Sequence, residues 1–203
     1  EKLLGDIVLT DDVAENVLSI ARSQLGYQES TRNYEVDDDG LRRGITRYGQ
    51  WYGNPYGDWS AMFASFCLSY AGADIPMNAG AEAMRLEWER AGLYKAVAET
   101  TPEVGYLIFL HKGASEYPGA NAVAIITGFD ENTVTVIEGD LDNAVAETQY
   151  PLDDAAIMGY GLTPEADAVI VLDEPAVIAE DCTVWLDGTD GGLGHLTGSP
   201  NTA

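Results

Sequence analysis

Apolar residues recur at helical spacing from Val13 onward: Val17, Ile20, Ala21 and Leu25 follow it on one stripe. Asp12, with Glu15 three residues on, supplies a helix start, and Gly26 is expected to close the helix. A second run opens at Asp58 or Trp59 and reaches about Ala71. In it Ala61, Met62, Phe63, Ala64, Phe66, Cys67, Leu68 and Tyr70 leave almost no polar face. A helix apolar nearly all round is central and buried, and Gly72 ends it. A third helix is expected over 79–91, with Asn78 as cap and Gly92 as stop.

Past residue 100 the period becomes strand-like. Strands are expected over 106–110, 122–129, 133–138, 144–150 and 157–161, with Asp130-Glu131-Asn132 as a tight turn. Helices first and an antiparallel meander afterwards predict an α+β fold with helices packed on a sheet. Residues 27–58 show no long period. Gly40, Gly44, Gly49, Gly53, Pro55 and Gly57 break them, and Tyr27, Tyr34, Tyr48, Trp51, Tyr52 and Tyr56 fill them with aromatics. Such a stretch reads as a long folded loop that carries function. The expected organisation is a leader over 1–12, one domain over 13–162, and an acidic, Gly-rich linker or start of a following module over 163–203. Short strands over 169–172 and 182–186 fit that last part.

The charge balance narrows the partners. Against 10 basic residues stand 34 acidic ones, a formal net charge of −24. Nucleic acid, which demands Lys and Arg against its phosphates, is excluded as a partner. Electrostatic attachment to anionic membranes is disfavoured in the same way. The simplest reading is the solubility of an exported or surface protein. Of the two cysteines, Cys67 reads as a buried thiol, and a bridge to Cys182 stays open. No apolar run approaches the ~18 residues of a membrane span. No signal peptide is visible, and a start at Glu1 suggests a piece excised from a longer protein.

Seven stretches then share one resemblance. SQLGYQESTRNY (23–34), TRYGQWYG (46–53), NPYGDWSAMFASFCLSYAG (54–72), VGYLIFL (104–110), NAVAIITGF (121–129), VIEGD (136–140) and IMGYG (157–161) together resemble CHAP domains. These are cysteine, histidine-dependent amidohydrolases/peptidases that cut peptidoglycan. The resemblance spans about residues 13–162 and implies a papain-like α+β fold and export to the bacterial surface; some such domains carry a calcium loop, but no cofactor or metal is expected in this chain. It implies a cysteine nucleophile at the start of the central helix, where unpaired N–H groups and the helix dipole lower a thiol pKa. A histidine at a strand start moves the proton, and an acidic or amide side chain on the next strand orients it.

Carried over by position, the nucleophile falls on Ser60, the histidine on Ala122 and the orienting group on Glu138. Asp140 takes a place where such domains commonly have asparagine. With the thiol and the base both missing, the chain is expected to be inactive. A serine hydroxyl is a weak nucleophile without an adjacent base, and removing triad members costs ~10⁴ to 10⁶ in turnover. His111 ends the 106–110 strand and is a candidate displaced base; the second histidine, His195, lies in the tail. Cys67 sits seven residues after Ser60, about 10 Å deeper on the same helical face, and reads as packing. Asp37-Asp38-Asp39-Gly40 lacks the ligand set of a calcium loop and reads as a solvated turn. Asp58 reads as the helix cap. Trp51, Tyr52, Tyr56 and Trp59 either line a groove or pack the long loop.

Two histories fit Ser60 and Ala122: deliberate inactivation, or natural loss of catalysis. Tyr106 and Ala124 also depart from the usual pattern and favour the second. The partner is then a peptidoglycan fragment or a surface protein, and a ligand-free spacer is the remaining alternative.

Overall fold

The computed structural model describes residues 4, 7–36, 38–40, 42–54, 57–115 and 118–164. The strands expected over 169–172 and 182–186, and Asp37, Tyr56, Cys182 and His195, lie outside them. The fold is α+β, with helices packed on a six-stranded antiparallel sheet.

Helix α1 spans Val13–Ser23, and the Asp12 side chain caps it by accepting from the Glu15 N–H at 3.0 Å. It ends before Gly26, whose N–H leaves the helix direction to bond the Val145 carbonyl at 3.0 Å. The stretch expected to be one long loop is partly regular. It forms a short hairpin, β1 (Tyr34–Val36) with β2 (Arg42–Gly44), and then helix α2 (Arg47–Tyr52). Thr46 caps α2 through the Gly49 N–H, and Gly53 at φ 89 closes it. Six residues are too few for an apolar period to show, so the cap and the glycine were the only sequence signals.

Helix α3 (Ser60–Ala71) is buried on every side from Ser60 to Leu68 and packs on α1, α2 and two sheet strands. Gly72 at φ 87 ends it. Helix α4 (Ala81–Arg90) starts after Gly80 without a side-chain cap. Asn78, expected as that cap, instead exchanges two backbone hydrogen bonds with the Ser65 hydroxyl on α3.

The sheet strands are β3 (Tyr94–Ala96), β4 (Leu107–Leu110), β5 (Ala122–Phe129), β6 (Thr133–Leu141), β7 (Ala144–Pro151) and β8 (Ile157–Gly161), in the order β3-β8-β4-β5-β6-β7. β3 has no signature beyond three half-buried residues, and the sequence does not reveal it. Leu107, Phe109, Val123, Ile125 and Ile137 point to the helices, while Ile108, Leu110, Ala124, Ile126 and Val136 form a second core on the other face. β6 runs three residues past its expected end. Gly139 and Asp140 stand there opposite Val145 alone, a bulge between the pairs Glu138↔Ala146 and Leu141↔Ala144. Asp142 and Asn143, both at positive φ, make the two-residue turn into β7. No helix among the described residues is long and apolar enough to cross a membrane.

Gly139 decides how closely β6 approaches α3. A Cβ there would lie 2.5 Å from the Cβ of Phe63, closer than packed carbons ever come. Gly139→Ala should therefore lower stability by about 1–3 kcal/mol through overpacking. Gly128→Ala, with nothing within 4 Å of the new carbon, should change it little. Urea unfolding of the two variants checks the difference.

Candidate functional site

The start of α3 rests on a carboxylate from the sheet. The N-cap position belongs to Trp59, not to Asp58, and no side chain of the helix caps itself. The Trp59 N–H donates instead to Asp140 Oδ2 at 3.0 Å. The bulge puts Asp140 at φ 66, a left-handed conformation that aspartate tolerates better than most residues. A strained backbone angle thus aims a carboxylate at the positive end of the central helix.

Beside this junction lies a cleft of about 220 Å³, lined among the described residues by Asp58, Ser60, Lys112, Asn121, Ala122, Glu138, Gly139 and Asp140. Ser60, Ala122, Glu138 and Asp140, separated by up to 80 positions in the chain, meet here. Ala124 pairs with Glu138 across β5 and β6, so positions 122 and 138 are diagonal neighbours on one sheet face. Ser60 is only 5% exposed, yet its hydroxyl makes no hydrogen bond among the described residues. No fully enclosed side-chain polar atom among those residues lacks a partner, so the Ser60 oxygen is open to the cleft.

Lys112 is the residue that sequence reasoning missed. Its Nζ pairs with Glu138 Oε1, and the Tyr150 hydroxyl donates to Glu138 Oε2 at 3.0 Å. The ammonium also lies 5.5 Å from the centre of the Tyr150 ring. Burial alone would lower the Lys112 pKa, but hydrogen bonds to Glu138 and Tyr150 and their charges outweigh it and raise it. Lys112 is therefore a fixed cation and not a base. Asn121 locks its backbone, accepting from the Lys112 N–H and donating to its carbonyl, both at 2.7 Å. A signal was present in the sequence: Glu138 sits inside an apolar strand and is 2% exposed, so it demanded a cation among the 10 basic residues.

The Asp140 carboxyl titrates above the usual carboxylate range. Burial pushes it up from 3.8 to about 6. The Trp59 N–H opposes this, and the negative charges of Asp58, Glu29 and Glu138 add to it.

The other candidates fall elsewhere. His111 is not among the lining residues: its Nδ1 lies 2.6 Å from the Gly119 carbonyl, and β4 has turned it away by pairing Leu110 with Ala122. Trp59 is 1% exposed, stacked on Tyr48 at 5.3 Å, with its Nε1 donating to Glu29. Trp51 packs edge-on against Phe66 at 5.4 Å, and the Tyr52 hydroxyl reaches the Met77 carbonyl. These three aromatics pack the fold and do not border the cleft; Tyr56 lies outside the described residues. Cys67 is a fully buried free thiol whose pKa burial pushes up, which makes it unreactive.

No family model and no curated protein matches the sequence. Among solved structures the chain is similar to the crystal structure of Ly7917, at 14% identity and a TM-score of 0.47, covering 75% of this chain and 62% of that one. It is also similar to Ly7917 with the hydrolyzing product of MDP, at 14% identity and a TM-score of 0.44, covering 74% and 63%. The chain thus spans less than two thirds of the length of either.

Two outcomes follow from the ionic contacts. Lys112→Met leaves the buried Glu138 carboxylate without its cation and should destabilise by about 2–3 kcal/mol, the low end because the lysine is partly exposed. Adding Glu138→Gln should recover more than half of that loss in urea unfolding. For Asp140 the folded-state pKa lies above the unfolded value, so its contribution is intact below 3.8 and is lost as pH rises to about 6. Asp140→Asn should therefore raise stability at pH 7.5, by about 1 kcal/mol after solvent screening, with the gain shrinking as pH falls through 6.

Proposed function

We propose that this chain is a peptidoglycan-hydrolase scaffold of the CHAP type whose cleft binds and does not cut. One observation carries the reading. The carboxylate of Glu138 is fully engaged by Lys112 and Tyr150, while Ala122, its diagonal neighbour, offers no base. Ser60 has a helix terminus beside it but no imidazole to take its proton: Lys112 is held protonated, and the Asp140 carboxylate is tied to the Trp59 N–H. Losing one such group costs ~10⁴ to 10⁶ in turnover, and here two are gone.

A lysine that already holds Glu138 favours a cleft that arose without an imidazole over one disabled at two positions. The ligand on this reading is a peptidoglycan fragment or a surface protein, and the setting is the outside of a bacterial cell. The acidic balance suits an exported, soluble domain.

Sedimentation with insoluble peptidoglycan tests both halves. The unaltered chain should bind saturably and release no soluble fragments. Ser60→Cys with Ala122→His should restore weak release, and adding Lys112→Ala, which frees Glu138 for the new imidazole, should increase it. Release by the unaltered chain would refute a silent site. A folded triple variant that releases nothing would sink the hydrolase scaffold, and a chain that fails to sediment would be a spacer.

A further inference from the structure

We propose that the cleft receives a primary ammonium group of a peptide, held by the carboxylates of Asp58 and Asp140 and by the hydroxyl of Ser60. This rests on the reading of a binding cleft and names the chemistry it would bind.

The three acceptors border one cavity. Ser60 is 5% exposed and its oxygen has no partner among the described residues, an open acceptor bordering the cleft. Asp140 gives Oδ2 to the Trp59 N–H, and its second oxygen makes no bond among those residues. An ammonium carries three donors and no acceptor, which matches these three oxygens, while the Lys112 ammonium that also borders the cleft is held on Glu138.

The competing ligands fit less well. An anion would need the helix terminus or Lys112, but Asp140 already occupies the first and Glu138 the second. It would also face Asp58, Glu29 and Glu138, the same charges that help hold the Asp140 titration near 6. A metal ion would need a closer set of ligands: no group of three or more His, Cys, Asp or Glu among the described residues is placed to hold one. The volume of about 220 Å³ is below that of a typical small-molecule pocket, so it admits a terminal group and not a whole ligand.

The test is amide-resolved NMR titration of the full chain at pH 7.5. The probes are trialanine amide, which presents an α-amine, and Nα-acetyl-lysine amide, which presents a side-chain amine. N-acetyl-trialanine amide is the neutral control, N-acetyl-trialanine the anionic one, and calcium chloride the metal control. At least one amine should shift the Ser60, Ala61, Gly139 and Asp140 amides saturably, and which one does so identifies the source of the ammonium. Neither acetylated trialanine probe should do so. Asp140→Asn and Ser60→Ala should each weaken the response roughly tenfold. Saturation by neither amine, equal binding of an acetylated control, or displacement by calcium would each overturn the proposal. If the same protein still sediments with peptidoglycan, the binding-cleft reading survives that failure; if it does not, both fall together.

Discussion

Helix α3 and strand β6 touch where Gly139 lies under Phe63, with no room for a further carbon. Most of the cleft follows from that contact. It brings the end of β6 to the first turn of α3, so that Asp140 reaches the Trp59 N–H and Glu138 and Ser60 share one cavity. The bulge lies at this same point, with Gly139 and Asp140 opposite Val145 alone. The left-handed backbone at Asp140 is the local cost, and its hydrogen bond to the helix terminus offsets part of it.

The cleft is then organised by charge. A carboxylate 2% exposed is unstable alone, and Glu138 meets both of its needs with Lys112 and the Tyr150 hydroxyl. Among the described residues that leaves Asp58 and Asp140 without a cation and Ser60 without a partner. Among the described residues the cleft therefore commits its lysine to Glu138 and leaves the Ser60 hydroxyl and the second Asp140 oxygen open. On the proposed reading, such an arrangement serves recognition of a donor-rich ligand rather than proton transfer from Ser60.

Much of the fold was legible in the sequence, for identifiable reasons. The apolar run of α3 reads as a central helix because no polar face could be left outside. β5 and β8 lie where their apolar runs placed them, at Ala122–Phe129 and Ile157–Gly161. Short elements escaped: α2 and the β1–β2 hairpin hold too few residues for a period. The aromatics flanking Ser60 misled in part, since burial of Trp59 against Tyr48 is decided by residues eleven positions away.

Local patterning thus determined the longer helices and strands and the α+β class, while the resemblance to CHAP domains, not periodicity, singled out Ser60, Ala122, Glu138 and Asp140 as candidates for one site. Periodicity and capping act over a few residues, and they are written in the chain. Only tertiary structure decided what those positions face. Register turned His111 onto the Gly119 carbonyl and delivered Lys112, one residue later, to Glu138. A shift of one position along a strand end reverses the face a side chain occupies, and nothing local to His111 or Lys112 encodes which of them the sheet will present.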